Sequence, residues 1–132
     1  MSQQNVETVR GLFGAWARRD LDEALAPMDE GVEWQMAEDE PDARTLHGHA
    51  AVRSMVEGWA EPFDEFSGAP QEFIDAGEHV VVPLVFLARP RGSDASVTIE
   101  ETQVYTLRAG VVVRVREYRT KAEALQAIGM PG

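Results

Sequence analysis

The sequence predicts an α+β domain: a cone-shaped, strongly curved antiparallel sheet wrapped around N-terminal helices, with an apolar pocket between the two layers. Three observations carry that prediction. Apolar residues in the first half recur at spacings of three and four, the period of a helix buried on one face. From about Glu72 onward they gather instead into strand-length runs. Helices early and strands late argue against the alternating order that builds a parallel α/β sheet.

The elements follow in order. Val6, Val9, Phe13 and Trp16 form one stripe on a first helix that ends near Arg19. Asp20 with Glu23 reads as a capping pair opening a second helix through Leu21, Ala24, Leu25 and Met28, which Gly31 breaks. Val32, Trp34 and Met36 alternate with Glu33 and Gln35, as in a half-buried strand. The run Glu38, Asp39, Glu40, Pro41, Asp42 up to Arg44 reads as a solvated acidic loop. A third helix spans Ala50 to Phe63, with Val52, Met55, Val56, Trp59 and Phe63 on one face and Met55 and Trp59 pointing at the core.

Strands are then expected around Phe73 and Ile74, after a turn at Gly77 from Val80 to Arg89, and in two last runs, Val97 to Leu107 and Val111 to Tyr118. Pro83 lacks the N–H that a ladder needs, so its strand should be an edge or carry a bulge there. Thr120 and Glu123 form a capping box for a short terminal helix through Leu125 and Ile128, stopped by Gly129. One domain over residues 1–132 is expected.

The last two runs flank Arg108, Ala109 and Gly110 and so form a hairpin. A two-residue turn would require positive φ at Ala109, which its Cβ resists, so a three-residue loop with a bulge at Gly110 is expected. That loop sets Leu107 opposite Val111, Tyr105 opposite Val113, Gln103 opposite Val115, and Glu101 opposite Glu117. Two carboxylates facing each other on the apolar side of a sheet are costly. A reactive or ligand-holding cavity would explain them.

Composition narrows the function. A formal net charge of -11 argues against nucleic acid and anionic membranes as partners, since both require a basic surface. The absence of cysteine removes disulfides, thiolate nucleophiles and thiolate metal sites. The first residues lack the pattern of a signal peptide, and no run is long enough to cross a bilayer, so a soluble, cytoplasmic protein is expected. His47 and His49 flank Gly48, but with His79 as the only other histidine a capping or loop role outweighs a metal site, and no metal is expected. With no phosphate cradle, nucleophile elbow or dinucleotide fingerprint, no cofactor is expected either.

Five segments, NVETVRGLFGAWARRDLDEAL, GVEW, LHGHAAVRSMVEGW, DAGEHVVV and YTLRAGVVVRVREYRTKAEALQAIG, together resemble the nuclear transport factor 2-like superfamily, within it the SnoaL-like branch that includes polyketide cyclases. The resemblance covers nearly the whole chain. It implies the cone-shaped barrel (nuclear transport factor 2-like, cystatin-like) and a homodimer through the outer sheet face, where Thr102, Val104, Thr106, Arg114, Arg116 and Tyr118 form the outward row. It also implies a general acid/base on the last strand, seven residues past the turn glycine, which lands on Glu117 with Glu in place of Asp. The second acid and the arginine of epoxide-hydrolase relatives fall on Phe86 and Leu84, and the base and phenol of ketosteroid-isomerase relatives fall near Met36 and near Leu12 or Phe13. Neither machinery is present. Glu101 has no counterpart in these branches, so its role rests on the register alone.

Trp16, Trp34, Met36, Met55, Trp59 and Phe86 are placed to line a pocket for a small hydrophobic ligand, and Gln103, Tyr105 and Val115 complete its sheet wall. The bland alternative for all of them is core packing. Within such a pocket desolvation would raise the pKa of Glu117, and Glu101 could share or tune its proton; the bland alternative is a Glu117 paired with Arg89, Arg114 or Arg119 or open to solvent. Two functions stay open. One is a cofactor-independent cyclase or isomerase acting on a small carbonyl compound; the other is a non-catalytic module that binds an apolar ligand or dimerises, with epoxide hydrolysis a more distant third.

Overall fold

Ser2 caps the first helix, α1 (Gln3–Ala17), by accepting from the Asn5 N–H at 3.1 Å. Asp20 does the same for α2 (Leu21–Leu25) through the Glu23 N–H at 3.1 Å, and Thr120 for the last helix, α4 (Lys121–Ala127), again at 3.1 Å. These caps satisfy N–H groups that have no partner inside the helix. They are features of a computed structural model that describes residues 2–39, 41 and 43–130; Glu40 and Asp42 of the acidic run lie outside the described residues.

Seven strands form one sheet, in the order β2 (Thr45–His47), β1 (Met28–Gln35), β7 (Val111–Tyr118), β6 (Val97–Arg108), β5 (His79–Pro90), β3 (Phe63–Pro70). The short β4 (Ile74–Ala76) pairs with the other end of β5. The expected antiparallel sheet has one exception, because β1 and β7 run parallel, with Trp34 beside Val115. Helix α3 (His49–Ala60) lies between β2 and β3 in the chain.

Several boundaries differ from the sequence reading. Met28 opens β1 rather than closing α2, and Gly31 lies inside the strand, where a register shift absorbs it. Helix α3 stops at Ala60, and Phe63 begins β3. Neither β2 nor β3 is expected from composition. β3 contains Ser67, Gly68, Ala69 and Pro70, poor strand formers that β5 recruits by cross-strand pairing. Pro83 sits in an interior strand, at neither an edge nor a bulge: on the β3/β4 side it falls at the gap between these strands, where its carbonyl accepts from the Gln71 N–H at 2.8 Å. N–H and C=O of one strand residue point the same way, so the donor that Pro83 lacks faces that gap.

The core lies between α1 and the inner sheet face. Val6, Val9, Leu12 and Phe13 pack there with Val80, Val82, Leu84 and Phe86 of β5, Tyr105 of β6 and Val115 of β7. On the outer face α4 covers Val81 and Val104 with Ala124 and Leu125. Much of the predicted outward row is therefore buried within one chain: Thr102, Val104 and Thr106 are closed off, and the Thr106 hydroxyl lies 2.9 Å from Nδ1 of His79. Burial first, then the Arg116 and Arg114 charges, push the His79 pKa down, against the opposing pull of Glu78. No helix among the described residues is long and apolar enough to cross a membrane.

Candidate functional site

The β6–β7 hairpin sets the site. Its turn is the two-residue Ala109–Gly110, with positive φ at both residues, 51° and 78°, the signature of a type I′ turn, whose twist matches that of the strands. Ala109 accepts the strained conformation that the sequence reading denied it. Arg108 therefore faces Val111, and a bulge at Val113 shifts the register once more. Beyond it Tyr105 faces Val115 and Gln103 faces Glu117. The expected pairing of Glu101 with Glu117 does not form. Glu101 lies past the end of the β7 ladder, where Thr102 already faces Tyr118, and its partner on the other side is Leu84.

Glu117 is buried, 7% exposed. Its Oε2 accepts from the Trp34 indole N–H at 2.6 Å and its Oε1 from the Ala37 backbone N–H at 3.3 Å. One donor lies near the end of β1 and the other lies two residues past it, so the parallel β1–β7 pairing brings both to the carboxylate. Of the three arginines weighed as its partners, Arg119 bonds Asp39 and Arg89 bonds Asp64 and Glu65. Arg114 lies on the outer face beside Glu33.

A polar row runs along the inner face of β6. The Tyr105 hydroxyl donates to Oε1 of Gln103 at 2.6 Å, and Nε2 of Gln103 donates to Oε2 of Glu101 at 2.9 Å. The carboxylate acceptor at one end and the phenol donor at the other fix which way the Gln103 amide points. Burial, then the charges of Glu101 and Glu117, push the Tyr105 pKa well above its ordinary value, so the phenol keeps its proton.

The aromatic residues meet as a cage. Trp59 lies in edge-to-face contact with Trp16 at 6.0 Å, Trp34 at 5.9 Å and Phe86 at 6.0 Å between ring centres. They nearly fill the interior: the void lined by Trp16, Trp34, Trp59, Gln103 and Tyr105 is about 30 Å³, room for about one water. Val115 is fully buried in the wall, and Leu84 and Phe86 are core residues. Met36 and Met55 line a different space, a cleft of about 540 Å³ between β2 and α3 shared with Trp59. A larger cleft, about 630 Å³, reaches Glu117 from the other side between Ala37, Glu38 and Gln126 of α4. The Ala37 N–H and the α4 wall escape a sequence reading, because a backbone donor has no residue type and an outer-face helix shows no polar motif.

The two histidines of the HxH run diverge. Nε2 of His47 lies 3.7 Å from Glu33, while Nε2 of His49 lies 2.8 Å from the Met28 carbonyl at the start of α3. No group of three or more His, Asp or Glu side chains among the described residues is placed to hold a metal ion.

Residues 9–115 match the model of the SnoaL-like domain family. No curated protein matches the chain. Among solved structures the chain is similar to a nuclear transport factor 2-like protein from Burkholderia pseudomallei, at 29% identity and a TM-score of 0.77 over 98% of this chain and 99% of that one. It is similar to another from Burkholderia xenovorans, at 30% identity and 0.74 over 96% and 97%. TerC, co-crystallised with polyporic acid, shares the fold at 22% identity and 0.78 over 96% and 98%. Because the matched segment runs from the middle of α1 through Val115 of β7 and covers most of the chain, the chain belongs to the SnoaL-like domain family of the nuclear transport factor 2-like superfamily.

Proposed function

We propose that this chain is a small-molecule-pocket protein that works as a cofactor-independent cyclase or isomerase on a small hydrophobic carbonyl compound, with Glu117 as general acid/base. The observation that carries the reading is Glu117 itself: a buried carboxylate on the inner sheet face, accepting from the Trp34 and Ala37 N–H groups, set opposite Gln103 and reached from the cleft of about 630 Å³ beside α4. In this reading a Glu117 oxygen takes a proton from the carbon α to the carbonyl. The C–H electron pair moves onto the carbonyl oxygen, giving the enolate. Isomerisation follows when Glu117 returns the proton to a different carbon; cyclisation follows when the carbanion attacks a second carbonyl of the same molecule and Glu117 protonates the new alkoxide. Glu101 orients the Gln103 amide. TerC, crystallised with polyporic acid, supports a small-molecule role for the shared fold. The protein works as a cytoplasmic homodimer through the outer sheet face beyond α4, where Nε of both Arg114 and Arg116 is buried without a hydrogen-bond partner.

The test is α-hydrogen exchange. Cyclic ketones and aromatic β-diketones are incubated with the protein in D₂O and deuterium uptake is followed by proton NMR. Wild type should exceed buffer, and Glu117→Gln should lose about 10²–10⁴-fold of that rate. The glutamine amide turns an N–H toward one of the two donors, so the variant's melting temperature is measured alongside, with a cost of about 1–3 kcal/mol expected. Equal exchange by both proteins, or none above buffer, removes the enzymatic reading. The second reading, a non-catalytic ligand-binding or dimerisation module, then leads; the observation favouring a non-catalytic role is that aromatic rings fill the interior and leave a void of about 30 Å³.

A further inference from the structure

Trp59 borders both the interior void beside Gln103 and Tyr105 and the cleft of about 540 Å³ between β2 and α3. Its indole is the wall between them. On the inner side three aromatic rings surround it, each near 6 Å. On the outer side lie Met36, Leu46 and Met55, the apolar part of a cleft that Arg44 and Ser54 also line.

The helix that carries Trp59 is half-buried or exposed along most of its length. In α3 only Val52 is fully buried, and a second cleft, about 290 Å³, runs along its other flank by Val56 and Ala60. Gly48, at φ 90°, precedes the helix and has no side chain to cap it. Gly58, next to Trp59, would meet nothing within 4 Å if it carried a Cβ, so the outer path is open on that side. A ring with a packed seat inside, a partly apolar cleft outside and a half-buried helix beneath it has the parts of a gate.

We propose that Trp59 is the gate of the interior site: it holds the ligand's own seat in this structure and turns into the β2–α3 cleft to admit a flat aromatic molecule of about the size of an indole. The inference rests on the reading of an interior ligand site and adds its entrance and its ligand class. The seat is shaped by edge-to-face contacts to Trp16, Trp34 and Phe86, which select a planar ring system over a bulky aliphatic one. Its inner end meets the Gln103–Tyr105 row, which selects a ring bearing a hydroxyl or carbonyl group. Closing by Trp59 lowers apparent affinity by the fraction of molecules that stand open.

The probe is 2-naphthol, with 5-fluorotryptophan at the three tryptophan positions of the chain. The Trp59 fluorine resonance, assigned with Trp59→Phe, should move to a solvent-exposed position as 2-naphthol is added, while the Trp16 resonance stays buried. By calorimetry Trp59→Ala should bind 2-naphthol about tenfold more tightly than wild type, since its seat needs no opening. Should that variant not fold, Trp59→Phe carries the same comparison with a smaller gain. Binding that leaves the Trp59 resonance buried overturns the gate, and no binding to either wild type or variant overturns the seat. Neither readout involves turnover, so the gate can fail while Glu117 stands as base, and the reverse.

Discussion

At the scale of single residues, Gly68 shows how little freedom the aromatic cage leaves. A Cβ there would stand 2.6 Å from Cζ3 of Trp16 and 3.1 Å from Cε1 of Phe86. Trp16 is bracketed in this structure by Phe13, Trp59 and Phe86, so its ring must shift against them to make room. Gly68→Ala should therefore cost about 1–3 kcal/mol in a urea titration; an unchanged midpoint would mean that the Trp16 ring shifts freely. The sequence shows this glycine only as a weak strand former, since its reason is a ring on α1 that approaches from far along the chain. Glu117 is the opposite case. Its face and its place on the last strand follow from alternation, but its two donors do not: Trp34 reads as a core or pocket ring, and the Ala37 N–H belongs to no side chain.

At the scale of elements, the hairpin explains why the inner face was legible while its pairing was not. The tight Ala109–Gly110 turn moves the register by one residue and the bulge at Val113 by another. Side chains alternate with a period of two, so a shift of two returns every residue to its original face with a new partner. Glu101, Gln103, Tyr105 and Glu117 thus remain inward, yet Glu117 meets Gln103 instead of Glu101. A second element-scale joint fastens α1 to the β4–β5 turn: Asp75 accepts from the Ser2 N–H at 2.9 Å and the Gly77 N–H at 3.0 Å, and Asn5 donates to the Gly77 carbonyl at 3.0 Å. The Ser2 N–H first, then that of Gly77, hold the Asp75 carboxyl below its ordinary value of 3.8. With the folded pKa lowered, the unfolded chain takes up the proton first, so this contribution is complete above the ordinary value and is lost as pH falls through the folded one. Asp75→Asn should flatten the acid limb of a stability-against-pH curve, and a variant curve parallel to wild type throughout would show the joint to be idle.

At the scale of the whole molecule, a chain with 23 acidic and 12 basic side chains repels itself. Most of its ion pairs, such as Arg18 with Glu23 and Lys121 with Glu72, are exposed and contribute little. Raising ionic strength from about 0.01 M to about 0.15 M shortens the screening length from about 30 Å to about 8 Å, so the melting temperature should rise; a fall would show that the pairs outweigh the repulsion. The same scale separates what the sequence determined from what folding decided. Helix caps, the helical stripes, the late strands and the inward set of β6 and β7 are local, because a cap needs only its neighbours and a face needs only a period. The parallel seam of β1 with β7, the recruitment of β3 by β5 and the closing of the interior by Trp59 join segments distant in the chain. No local pattern encodes which distant surface will arrive, so the donors around Glu117 and the state of the pocket were decided only when the sheet closed around the helices.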